Sequence, residues 1–312
     1  MNFWLDFRLK VRKFFREHKR VIIIIVIVWG LVIAINYFLK GKQDPVKPIT
    51  TYDPHSPVMD ETGKVPEEYK EPINNLIDNY INYCNNKEYE NAYNLLSNEF
   101  KGKYCKTLEE FKSYVDELFD EKKIYNIQNY SNVNNVYVYQ LRLLEDILAT
   151  GTTDGYDYKE EKVVIKEEDG VLKLSLNGYI GEEQLGIIAE DEYMRVNIVK
   201  KTIKYDTETY TIEFKNKTNN YIKIADNTQS NEVVLQVGND KRKAQNLENG
   251  NIIVIPNYTY TREITFNKRF DTGEDATAVM FDAIRVLPEF SSNIDKAVKL
   301  YSLSINLQPN NK

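Results

Sequence analysis

The chain has 312 residues, 42% of them hydrophobic, and a net charge of −6. That apolar content is enough to bury real cores, which excludes a wholly disordered stalk. Residues 1–42 hold nine Lys/Arg against two Asp/Glu, a net of +7 that leaves −13 on the remainder. An acidic remainder argues against binding nucleic acid or anionic polymers through bulk electrostatics.

Residues 1–20 read as a basic cytoplasmic tail. Phe3, Phe7, Val11, Phe14 and Phe15 fall roughly on one helical face among Arg and Lys. That pattern suits either contact with an anionic inner leaflet or a flank that only sets topology. Val21–Leu39 (VIIIIVIVWGLVIAINYFL) then carries no charge. At about 1.5 Å per residue it just spans a hydrocarbon core of roughly 30 Å, and a helix satisfies its own backbone in lipid. Seven cations precede the span, against Asp6 and Glu17. The positive-inside rule therefore predicts a cytoplasmic N-terminus, with everything after Lys40 outside. Tyr37-Phe38-Leu39-Lys40 lacks the small residues of a signal-peptide cleavage site, so the expectation is an uncleaved single-pass anchor in a bacterial cell membrane.

Residues 40–66 form a linker holding five of the nine prolines, a composition that stays extended and semi-rigid. From Glu67 the period becomes helical. Ile73, Leu76, Ile77, Tyr80, Ile81 and Cys84 make one apolar stripe, and Pro72 suits a first turn. A second helix is predicted through Tyr89, Ala92, Tyr93, Leu96 and Phe100. A third opens on the capping box Thr107–Glu110 and continues through Phe111, Val115, Leu118 and Phe119. Strands are then predicted over Lys123–Tyr130 and Asn135–Leu148, followed by a hairpin of Glu161–Ile165 and Val171–Leu176 about Asp169-Gly170. Helices followed by a curved antiparallel sheet make an α+β pattern.

Ile73–Tyr83, then KEYENAYNLLSNEF (Lys87–Phe100), then TLEEF (Thr107–Phe111) together resemble the nuclear transport factor 2-like superfamily over residues 67–182. The resemblance implies a cone of helices wrapped by a bent sheet. It implies little about function, because that fold hosts isomerases, dehydratases, binding modules and secretion-machine parts. The α+β domain is expected over residues 67–190.

Glu182–Asp191 reads as a hinge or short helix. From residue 191 to 308 the pattern is all-β. Strands are predicted over Arg195–Tyr205, Tyr210–Asn216, Tyr221–Ala225, Glu232–Val237, Asn251–Pro256, Thr259–Phe266, Thr277–Arg285 and Lys299–Leu307. Asn219-Asn220, Asn239-Asp240, Asn249-Gly250 and Asp271-Thr272-Gly273 supply turns. This spacing suggests a sandwich of immunoglobulin type, without the Cys–Trp–Cys signature of antibody domains.

The candidate chemistry is sparse. His55, in the linker, is the one histidine after the predicted span, so Ser-His-Asp, Cys-His and His-rich zinc sites are not expected. Cys84 and Cys105 sit on different helical segments. With antiparallel helices they lie roughly 18 Å apart, beyond the about 7 Å a disulfide tolerates, so free thiols are expected with Cys84 buried. Asp154-Gly155-Tyr156-Asp157 and Asp271-Thr272-Gly273-Glu274-Asp275 place oxygens in turns, but turn chemistry explains them without calcium. Asp78, Tyr80, Tyr83 and Tyr139 are the residues a pocket enzyme of this fold would use. Aromatic residues at helical spacing more often build core. No catalytic, cofactor-binding or metal residue is therefore assigned.

The reading is a non-enzymatic membrane protein that binds or positions a protein partner outside the cell, with contact to lipid through residues 21–39 and the tail. Self-association is also open. One alternative is an assembly component of a conjugation or type IV secretion apparatus. Such components look similar in having a short tail, one span and a nuclear transport factor 2-like domain, but their gram-positive members more often carry a second cone. The other alternative is a small-ligand pocket protein or enzyme.

Overall fold

The computed structural model describes residues 65–145, 158–225, 233–245, 247, 252–290 and 296–308. The tail, the predicted span Val21–Leu39 and all but the last two linker residues lie outside these, as do Asp154–Asp157 and Asn249-Gly250. Among the described residues no helix is long and apolar enough to cross a membrane. The fold is helices followed by three antiparallel sheets.

Helix α1 (Glu67–Asn85) buries Ile73, Ile77, Tyr80, Ile81 and Cys84 of the predicted stripe, while Leu76 is only partly buried against the core. It begins five residues before Pro72, so that proline lies inside the helix and not in its first turn. The predicted second helix is two: α2 (Tyr89–Asn94) and α3 (Asn98–Tyr104). The break has a tertiary cause. Leu174 N–H donates to the Leu95 carbonyl at 3.0 Å, and Ser97 N–H donates to the Leu174 carbonyl at 2.7 Å. Ser97 then caps α3, its Oγ accepting from Phe100 N–H at 3.1 Å. Helix α4 (Leu108–Leu118) opens on the predicted capping box, both Thr107–Glu110 bonds measuring 3.2 Å.

Sheet 1 is β1 (Lys123–Val133), β2 (Val136–Glu145), β3 (Tyr158–Glu168) and β4 (Val171–Ser175), in that order. Its two tight turns have positive φ at both central residues, Asn134-Asn135 and Asp169-Gly170, as two-residue hairpins require. Helices and sheet enclose a first core rich in rings, including Tyr80, Phe100, Phe111, Phe119, Tyr137 and Tyr139. Cys84 and Cys105 are both free and buried.

Residues Glu182–Asp191 are neither hinge nor helix. All but Asp191 belong to β5 (Tyr179–Glu190), which pairs with β6 (Met194–Lys204). Sheet 2 runs β12 (Thr259–Asn267), β7 (Thr207–Asn216), β6, β5. Sheet 3 runs β10 (Asp240–Lys243), β9 (Val233–Val237), β13 (Ala276–Leu287), β8 (Tyr221–Ala225), β11 (Ile252–Val254), with β14 (Lys299–Asn306) also on β13. Each predicted strand of this half is present with its ends within three residues, and β10 is an addition. Sheets 2 and 3 share a second core of Val196, Ile198, Ile212, Phe214, Leu235, Val279, Phe281 and Ile305 among others.

Strand β5 contributes to both cores. Tyr179 packs in the first, while Leu185, Ile187 and Ala189 pack against the second. A third, small cluster of Val138, Val164, Ile180 and Tyr205, flanked by Ile203 and Phe270, joins the outer face of sheet 1 to the β6–β7 turn.

Candidate functional site

Polar side chains surround this small apolar cluster at the waist between the two cores. Glu182 on β5 is the hub on one side. Its carboxylate accepts from Lys103 of α3, from Lys200 at 2.9 Å to each oxygen, and from the Thr202 hydroxyl at 3.4 Å. Burial would raise its pKa, but Lys103 and Lys200 hold it below the usual carboxylate range. Glu99, also on α3, accepts from the Tyr179 hydroxyl at 2.9 Å and from Glu182 N–H at 2.8 Å. Burial and the Glu99 carboxylate both push the Tyr179 phenol up. A methyl group on Gly181 would stand 3.3 Å from Glu99 Oε1. Glycine thus lets the helix carboxylate reach the strand backbone.

On the other side of the waist, Glu161 is buried. Its oxygens accept from the Tyr114 hydroxyl and from Asn177 N–H, both at 2.6 Å. Burial raises its pKa, against the lowering effect of these donors. It ties α4 to the turn at Asn177-Gly178, where both residues have positive φ. Lys162 pairs with Asp206, and Asp271 accepts from the Tyr205 hydroxyl at 2.9 Å and pairs with Arg269. The predicted oxygen-rich turn at Asp271–Asp275 is therefore anchored by an arginine, and its Gly273 adopts φ 68°. Among the described residues no group of three or more metal-ligating side chains is present.

Open recesses flank these networks. One, of about 250 Å³, is lined by Glu161, Lys162, Gly178, Lys204 and Asp206. Another, of about 430 Å³, is lined by Glu99, Lys103, Lys106, Glu182 and Lys200. Most carboxylates on these walls are held by neighbouring donors, so the chemistry there is that of a clamp between the two halves of the molecule.

A third recess is of another kind. β5 is the outer strand of sheet 2, and β14 pairs with β13 at the outer side of sheet 3. Between them lies a groove of about 510 Å³, lined by Glu183–Ala189 without Gly186, and by Ser304–Gln308. Leu185, Ile187 and Ala189 alternate inward and remain half-exposed; Leu303 on β14 and Leu307 just after it are half-exposed too. Ile188 points outward and is 51% exposed. Gly186 has φ 60° at a register shift between Gln184 and Ile187, a bulge that keeps this alternation on the edge strand.

The residues named for a pocket enzyme are not gathered together. Asp78 accepts from the Tyr125 hydroxyl at 2.8 Å. Tyr80 lies edge-on to Phe119 with ring centroids 6.3 Å apart. Burial raises the Tyr80 phenol and pushes the neighbouring Cys84 thiol up to about 12. Tyr139 stacks on Tyr130 at 5.4 Å, and Tyr83 packs at the border of the first core. Sequence reading missed Glu99, Lys103, Glu161 and Glu182. Their partners lie up to 99 residues away, and no local spacing marks them. The groove did leave a signal in the alternation of LGIIA and LSINL.

No protein-family model matches the chain, and no curated protein matches it.

Proposed function

We propose that the chain is a single-pass membrane protein whose two folded halves, outside the cell, bind and position a protein partner. The uncharged span Val21–Leu39 with its cationic N-terminal flank supports the anchor and its orientation. The four helices packed on sheet 1 fit the nuclear transport factor 2-like reading, and sheets 2 and 3 about a common core fit the immunoglobulin-type reading. The reading is non-enzymatic.

One observation carries the binding role: the half-exposed apolar floor between the strands β5 and β14. Single exposed apolar side chains are ordinary on a surface, but a row of them along two outer strands is the mark of an interaction site. The clamp at the waist supports positioning, since it fixes this groove relative to the first core.

Crosslinking the tagged full-length chain in intact cells tests the reading. The expected result is a protein partner whose crosslinks map to β5, β14 or the loops beside them. Crosslinks confined to the helices of the first core, or recovery of no partner, would overturn it.

A further inference from the structure

We infer that the groove between β5 and β14 takes an extended segment of a partner polypeptide, uncharged at its centre and apolar at every second position, which adds to β5 as a fifth strand of sheet 2. The inference rests on the binding role proposed above and names its occupant.

Three observations define that occupant. The first is the backbone. Among the described residues sheet 2 has four strands with β5 outermost, so its outer N–H and C=O groups are placed to pair with a further strand. The second is the floor. A strand laid beside β5 would point alternate side chains inward, over Ile305 and Leu307, continuing the row of Leu185, Ile187 and Ala189. Those three are half-exposed although they face the core, and among the described residues no strand follows β5 in this sheet. The third is charge. Among the described residues Glu183 is the one charged side chain on the groove walls, and Lys201 holds it at 3.0 Å. Among the described residues no lysine or arginine lines the groove. A charge buried there would have no partner, so the walls favour an uncharged centre and disfavour acidic or basic segments. The charged groups stand at the two ends, Glu182 with Lys103 and Lys200 at one and Glu190 with Lys217 and Arg195 at the other. A segment of about six residues, roughly 20 Å when extended, fits between them.

The alternative occupants make different predictions. A second copy of this chain would make association depend on protein concentration. A lipid surface would show no preference for alternation.

The test uses the full chain in detergent and two fluorescent synthetic decapeptides of one composition. In one, valine alternates with threonine. In the other, the valines occupy one half. The alternating peptide is expected to bind, and the blocked one to bind roughly tenfold more weakly or worse. Ala189→Arg, which drives a cation into the groove, is expected to abolish binding. Val171→Lys, at an exposed position of β4 that does not line the groove, is expected to preserve it. Leu307→Arg blocks the groove from the opposite wall and serves if Ala189→Arg lowers the unfolding temperature. Equal binding of the two peptides, no binding of either, or undiminished binding by both arginine variants would overturn the inference. So would a concentration-dependent dimer that Ala189→Arg dissociates, which would make a second copy the occupant. The two readings fail separately. Peptide binding without any crosslinked partner in cells would leave the groove's specificity standing and sink the surface-binding role. A crosslinked partner held elsewhere on the second half, with no peptide binding, would do the reverse.

Discussion

Sheet 1 ends on the five-residue β4 and sheet 2 on the twelve-residue β5, and the chain treats those ends differently. At β4 it lays the segment Leu95–Ser97 along the edge, with main-chain bonds to Leu174 in both directions. Helices α1 to α4 then cover the sheet's inner face, and the cluster of Val138, Val164, Ile180 and Tyr205 covers part of its outer face. At β5 no such strap is present among the described residues, and Leu185, Ile187 and Ala189 are half-covered. The inward alternation is the same in both places. What differs is whether a later segment returns to close it. The β4 edge is thus closed by the chain itself, and the β5 edge leaves room for a further strand.

The strongest test of that contrast removes a ring from each core. Phe111→Ala and Phe281→Ala are each expected to cost about 3–5 kcal/mol, as deletion of a buried Phe ring does. Because β5 runs through both cores, denaturant unfolding of either variant is expected to remain one transition by near- and far-ultraviolet circular dichroism. Two separated transitions would show that the halves unfold independently.

A comparable loss is expected at the base of the second core. Lys268 and Glu208 pair at 3.0 Å with side chains only 6% and 4% exposed, and Glu208 also accepts from the Tyr210 hydroxyl at 2.7 Å. Lys268→Ala leaves a buried carboxylate unpaired and should cost about 3–5 kcal/mol, whereas Lys268→Met with Glu208→Leu should restore most of it. A small effect of Lys268→Ala in urea titrations would show that water reaches the pair.

The waist should yield less. Glu182→Gln removes a charge held by two lysines and is expected to cost about 1.5–3 kcal/mol. The pH dependence has a definite sign. The folded pKa of Glu182 is depressed, so its contribution is present above the unfolded value of about 4.3 and is lost as pH falls through the folded value. The wild-type chain should therefore lose stability below about pH 4 more steeply than Glu182→Gln. Parallel slopes would mean the clamp is not electrostatic. The smallest effect belongs to Thr107→Ala. It breaks the capping box of α4 for about 1 kcal/mol and should leave the second core's amide exchange unchanged.

What could be read from sequence follows from range. The stripe of α1, the box at Thr107 and the turns at Asp169-Gly170 and Gly273 depend on neighbours in the chain, and they are where the pattern puts them. The break at Leu96 depends on Leu174, and nothing in KEYENAYNLLSNEF announces it. Strand β5 was hidden by Gly181 and Gly186, which look like the punctuation of a hinge. One instead admits Glu99 and the other makes a bulge. The same applies to Glu182, whose neighbour Glu183 suggests a solvated face until Lys103 arrives from α3. Asp78, Tyr80 and Tyr139 suit pocket chemistry by residue type alone, and the fold gives them separate partners.

Strand β5 also bears on how the molecule responds to force. The chain enters its first core at Val65 and leaves its second after β14, so a pull on the far half reaches the near half along covalent backbone already paired to β6. Side by side, the β5–β6 hydrogen bonds would be loaded in shear and would have to give way together. A flexible joint would have stretched first and absorbed the pull. This molecule would pass tension on as a stiff rod does, so that whatever held the groove would feel the movement of the opposite end.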